Sequence, residues 1–149
     1  WGTAFVIHSC FIATAYHVVR PTIEEITGEE TVSFFSNYKE LQKTPIKARP
    51  VLWGKAWEAT KEGLNAEDWA VLKLETCLPE EITPLPLLSV QEQTLRSLPL
   101  IIAGFPEDQT LEEISIDYQC NAGPEPLKDD SGFGHDCATR PGNSGSPLL

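Results

Sequence analysis

Short apolar runs broken by turn residues dominate the pattern along this chain. Residues 2–7 (GTAFVI) and 10–15 (CFIATA) are two such runs with only His8-Ser9 between them, which predicts a tight β-hairpin. Residues 31–34 (TVSF), 51–53 (VLW) and 69–74 (WAVLKL) also read as strands. Residues 98–105 (LPLIIAGF) read as a buried strand running into a Gly104-Phe105-Pro106 turn. Ile114, Ile116 and Tyr118 alternate with Glu113, Ser115 and Asp117, the period-2 mark of a half-buried strand. Helical signals are confined to one turn around residues 17–19 and a weak stretch at 90–95. Twelve prolines and ten glycines punctuate the strands at regular intervals, as in an all-β barrel or sandwich. A Pro-rich segment at 78–88 (LPEEITPLPLL) marks a seam between two halves, residues 1–80 and 81–149. No internal repeat or low-complexity tract is visible.

Composition narrows this picture without changing it. With 149 residues, the chain is long enough for a domain that buries roughly 68–70% of its unfolded surface. Its 9% aromatic content sets it apart from disordered chains. The net charge of −11 argues against nucleic acid or an anionic membrane surface as the main partner. No apolar stretch approaches the ~20 residues of a membrane span, and no signal peptide is visible. The chain opens on Trp1 and contains no methionine, so Trp1 is expected not to be a native start.

Four cysteines, Cys10, Cys77, Cys120 and Cys137, allow two disulfides in three connectivities. None lies in a CxxC pair and their density is low, so reduced, buried thiols and a cytoplasmic location are the expectation, with secretion left open. His8-Ser9-Cys10 and His135-Asp136-Cys137 together offer four zinc-type ligands, but His-x-Cys is not a usual half-site spacing. A zinc-stabilised β domain therefore stands as a minor reading, and no metal is expected.

Three side chains stand where chemistry could be done. His17 follows the apolar run ending at Ala15, where a strand end can hold an imidazole toward a cleft. His8, in the hairpin turn, and His135, in a loop, are expected to be exposed bystanders. Asp68 opens an apolar strand; such a residue is commonly a turn or cap residue, yet it can also accept Nδ1–H of an imidazole and fix its tautomer. Ser144 sits in Gly142-Asn143-Ser144-Gly145. A nucleophilic hydroxyl needs a base within reach and backbone N–H groups aimed at the developing oxyanion. Gly142 permits the backbone angles and close substrate approach of such a hole, with the N–H groups of Gly142 and Ser144 as its donors.

Taken together, Thr14-Ala15-Tyr16-His17-Val18-Val19, Asp68-Trp69-Ala70-Val71-Leu72 and Gly142-Asn143-Ser144-Gly145-Ser146-Pro147 resemble the three signature segments of trypsin-like (chymotrypsin-fold) serine peptidases. The resemblance is closest to the bacterial branch that includes the glutamyl endopeptidases and HtrA-type proteases. Residues 100–106 (LIIAGFP) are also similar to the strand that opens the second barrel in those enzymes. The resemblance implies a double six-stranded β-barrel, the first barrel in residues 1–80 and the second in 81–149. It implies Ser144 as nucleophile, His17 as general base and acid, Asp68 as the orienting carboxylate, and Gly142 and Ser144 as oxyanion-hole donors. The substrate would be a protein or peptide, and the mechanism implies no cofactor.

Two departures from the family pattern matter. Double barrels of this kind commonly need about 200 residues or more, so the chain is expected to be a piece truncated at both ends, with further domains of a longer protein. Ala138, six before Ser144, stands where trypsin has its pocket aspartate, so a preference for Arg or Lys is not implied. Thr139 matches the threonine of glutamyl endopeptidases. The competing reading is a catalytically silent or regulated trypsin-like module that binds protein, against which the complete set of three residues argues.

Overall fold

The computed structural model describes residues 1–24, 31–36, 44–54, 67–108, 113–126 and 133–149. Ten elements follow in chain order: β1 (Ala4–His8), β2 (Phe11–Thr14), α1 (Tyr16–Glu24), β3 (Val32–Phe34), β4 (Ile46–Trp53), β5 (Ala70–Leu74), α2 (Glu92–Leu95), β6 (Pro99–Gly104), β7 (Ser115–Pro126) and β8 (Phe133–His135). The strands form a five-stranded sheet in the order β1-β2-β5-β4-β3 and a three-stranded sheet in the order β6-β7-β8. Every pairing is antiparallel. This is the chymotrypsin-like all-β architecture, with five and three strands among the described residues rather than six and six. The segment 78–88 runs between the two sheets as irregular chain, and Leu85 N–H reaches back to Val6 O at 2.8 Å.

The first sheet encloses a core of Ile12, Val19, Ala48, Ala70, Leu72 and Leu74. The strand expected at 69–74 is β5, and its alternate residues Ala70, Leu72 and Leu74 are buried. Helix α1 adds to this core from outside. Tyr16 and Val19 are buried and Ile23 packs against the core, a 3.6-residue stripe that runs straight through Pro21. The expected single turn is therefore a nine-residue helix. Strand β4 is likewise longer than expected, because Pro50 sits at an irregularity between Pro50 and Leu52. Its pairs with β3 among the described residues, Ile46 to Ala48, lie ahead of Pro50.

The second core is smaller: Leu100, Ile102, Cys120 and Cys137, flanked by Leu95, Ala122 and Phe133. Here the alternation of residues 113–118 has the opposite sense from a core-facing apolar set. Ile114, Ile116 and Tyr118 are exposed, while Ser115 and Asp117 are half-buried. A register shift against Leu100–Ile102 then returns Cys120 to the interior. His135 lies in β8 rather than in a loop and is half-buried, whereas His8 is exposed at the end of β1.

The expectation of reduced thiols is corrected. Cys10 is bonded to Cys77, and Cys120 to Cys137. The first bond ties the β1–β2 turn to the chain leaving β5; the second ties β7 to the segment that leads to Ser144. Sulfurs engaged in disulfides are not thiolate ligands, so the His-x-Cys zinc reading is removed as well. No described residues form a metal-ligating cluster of three or more His, Cys, Asp or Glu. Among the described residues, no helix is long and apolar enough to cross a membrane. A cavity of about 500 Å³ opens on the apolar side of the first sheet, lined by Val6, Val18, Phe34, Ile46 and Leu74 among others, and neither His17 nor Ser144 lines it.

Candidate active site

Asp68 lies just before β5 and His17 in the first turn of α1. The pairing of β2 with β5, Thr14 opposite Ala70, brings these two strand ends side by side. The first N–H groups of a helix have no partner within it, and Asp68 Oδ1 accepts one of them, His17 N–H, at 2.9 Å. Its other oxygen, Oδ2, lies 2.7 Å from His17 Nδ1. One carboxylate thus caps the helix that carries the imidazole and holds the ring. With a carboxylate as acceptor the proton belongs on Nδ1, which makes Nε2 the basic nitrogen. The Asp68 side chain is 13% exposed and that of His17 37%, so the carboxylate is sheltered while the ring edge opens to the surface.

Ser144 is carried by two successive tight turns. Asn143 N–H donates to Arg140 O at 3.0 Å, and Ser146 N–H to Asn143 O at 2.9 Å. Gly142 and Gly145 occupy the third position of these turns with φ of 97° and 85°, the values a type II turn requires and side-chain-bearing residues avoid. Pro141 precedes Gly142 at the position where its fixed φ suits the same turn. The second turn packs hard on the end of β2: a β-carbon added to Gly145 would fall 2.3 Å from Thr3 O, 2.4 Å from Thr14 Oγ1 and 2.8 Å from Ala15 N. Ser144 is therefore seated against the residues that lead into His17.

The backbone of this loop has defined directions. Pro141 O accepts Glu107 N–H at 2.8 Å. In a planar trans peptide the N–H points opposite to the C=O, so Gly142 N–H is directed away from Glu107. Asn143 O is held by Ser146 N–H, which turns Ser144 N–H the other way by the same geometry.

Ala138 and Thr139 are exposed, following buried Cys137. Ala138 N–H donates to Asp117 Oδ2 at 2.8 Å, and Gln119 N–H to Asp117 Oδ1 at 3.2 Å. These backbone bonds, Ala138 first and then Gln119, hold the Asp117 carboxyl below the ordinary carboxylate range. Asp136 is lowered in the same way, chiefly by Asn121 N–H at 2.5 Å. The sequence reading missed Asp117 and also Thr3, a buried residue whose side chain bonds to Gly142 O and Phe105 N–H. A threonine inside an apolar run carries no local sign of such partners.

Residues 2–149 match the family model described as the trypsin-like peptidase domain. No curated protein matches the chain. Among solved structures the chain is similar to Deg5 (22% identity, TM-score 0.61), covering 99% of this chain and 68% of that one. It is similar also to the inactive form of the Rv3671c protease (19%, TM-score 0.56), over 99% of this chain and 66% of that one. The HtrA-type protease AlgW with a decapeptide matches at 16% and TM-score 0.56, over 99% of this chain and 39% of that one. At these identities the structural likeness speaks to the fold, and the chain spans between 39% and 68% of the length of these neighbours.

Proposed function

Because the chain belongs to the trypsin-like peptidase domain family, we propose that it is a serine endopeptidase acting on protein or peptide substrates. The observation that carries this reading is the two-point grip of Asp68 on His17, 2.9 Å to the backbone N–H and 2.7 Å to Nδ1, beside a serine held in a glycine-bounded double turn. Ser144 Oγ attacks the scissile carbonyl as His17 Nε2 takes its proton. Asp68 stabilises the imidazolium without itself being protonated. Gly142 and Ser144 N–H groups receive the oxyanion. The imidazolium then protonates the leaving amine, and water, activated by the same imidazole, releases the acyl group from Ser144. No metal or cofactor takes part in these steps.

Ala138 and Thr139 would floor the pocket for the residue preceding the cleaved bond. Further domains of a longer chain remain part of the proposal, in keeping with neighbours of greater length. The two disulfides favour an oxidising compartment over the cytoplasm. A second reading is a silent or regulated trypsin-like module that binds protein. The test is turnover of a casein-type protein substrate by the full chain, compared with Ser144→Ala. Loss of cleavage in Ser144→Ala supports the peptidase, whereas binding without cleavage by the wild type supports the silent module.

A further inference from the structure

We infer that Thr3 is a positioning residue for the oxyanion loop, holding the turn around Gly142 and Ser144 in the one backbone arrangement that presents both N–H donors. The inference rests on the peptidase reading above and adds to it a residue outside the three signature segments. Thr3 is 4% exposed and makes four hydrogen bonds. Its Oγ1–H donates to Gly142 O at 2.9 Å, and the same oxygen accepts Phe105 N–H at 3.0 Å. Its backbone N–H donates to Ser144 O at 2.7 Å, and its carbonyl accepts Thr14 Oγ1–H at 2.7 Å.

The consequence appears when the loop carbonyls are taken in order. Pro141 O is held by Glu107 N–H, Gly142 O by the Thr3 hydroxyl, Asn143 O by Ser146 N–H and Ser144 O by Thr3 N–H. Four consecutive carbonyls are fixed, and Thr3 holds two of them. Each fixed carbonyl orients the N–H of the next residue, in its own peptide plane, in the opposite direction. Glu107 and Ser146 thus set the planes of the Gly142 and Ser144 donors. Thr3 fixes the plane that follows each donor, those ending at Asn143 and Gly145, and so braces the turn on the far side of both. Glycine crosses between backbone regions at little steric cost, so Gly142 alone would let its flanking peptides rotate and turn a donor away. A hydroxyl has a single proton. Because Phe105 N–H occupies the acceptor side of Thr3 Oγ1, that proton is directed at Gly142 O, and the bond has one sense. Through Phe105 and Thr14, Thr3 also links the loop to β6 and β2, the ends of both sheets.

The experiment is Thr3→Val in the full chain, which keeps the branched shape and both backbone bonds and removes the hydroxyl. Active-site titration gives kcat per competent site, which a merely structural role leaves unchanged. The expected result is a fall of about 10- to 100-fold in kcat with KM within about threefold, on the scale of a displaced oxyanion donor. Thr3→Ser, which keeps the hydroxyl, is expected within about threefold of the wild type. The ¹⁵N–¹H resonances of Gly142 and Ser144 should move in Thr3→Val and stay in Thr3→Ser. If Thr3→Val does not fold, Thr3→Ala, which removes the hydroxyl without adding bulk, takes its place. A kcat per titrated site within twofold of the wild type, with unmoved resonances, overturns the role. If the wild type shows no Ser144-dependent turnover, the peptidase reading fails, and the two resonances then decide alone whether Thr3 positions the loop.

Discussion

Asp68 serves two groups at once, and its two tasks can be separated by substitution. Asp68→Asn keeps an oxygen for His17 N–H, so the helix cap survives and stability should fall by less than about 1 kcal/mol. The amide, however, donates to Nδ1 and selects the tautomer with its proton on Nε2. In the best-studied triad of this superfamily that change costs about 10⁴ in kcat, and the same order is expected here. Steady-state kinetics and thermal melts on the one variant check both halves. Asp117 gives a pH prediction. Its carboxyl is depressed in the folded chain, so the unfolded chain binds protons first as pH falls. The stabilisation is complete above the ordinary carboxylate pKa of about 3.9 and is lost as pH drops below it. Asp117→Asn should flatten the acid limb of a Tm-versus-pH curve below about pH 4; an unchanged limb would contradict the assignment. The segments that hold the His17–Asp68 contact and the glycine-bounded turn at Ser144 stand out because each is a short local motif. Thr3 does not, since two of its partners, Phe105 and Gly142, stand 102 and 139 positions away.

Among the elements, the turns were more legible than the helix and the long strands. Pro-Gly and Ser-Gly announce positive-φ positions directly, and Gly142 and Gly145 fill them. Gly145→Ala tests how closely the second turn is fitted. A methyl group there meets backbone atoms of Thr3 and Ala15 as well as an unfavourable φ. We expect destabilisation of more than about 1 kcal/mol from φ alone, read as a lower Tm, together with lost turnover as Ser144 is pushed off β2. By contrast, Pro21 and Pro50 concealed α1 and most of β4. Proline is an unfavourable residue in both settings, but burial of Tyr16 and Val19 outweighs it in the helix and the pairing irregularity against β5 accommodates it in the strand. The alternation at 113–118 signalled a strand correctly but not which face is covered, because that depends on layers a local pattern does not contain. Leu72, fully buried at the centre of β5, should cost about 2–5 kcal/mol on change to Ala.

For the whole molecule, the all-β class followed from turn spacing and short apolar runs, but the cross-links did not. Spacing alone leaves three connectivities for four cysteines, and only the folded arrangement selects Cys10–Cys77 and Cys120–Cys137. Closing loops of 67 and 17 positions restricts the unfolded chain by about 4 and 3 kcal/mol in a chain-entropy account. Unreduced, denatured protein should therefore show no reactive thiol among these four, and reduction should lower the Tm sharply; four free thiols would restore the reduced-core expectation. Both bonds brace the parts that support the site, one at the base of the His17 sheet and one just before Ala138 and Thr139. The account as a whole depends on Ser144 being an activated nucleophile. The most direct test is reaction of the full-length folded protein with a fluorophosphonate, located by peptide mass spectrometry. The account predicts a covalent adduct on Ser144 that is absent in Ser144→Ala and strongly slowed in His17→Ala. A folded wild-type protein that takes up no label at Ser144 would contradict it.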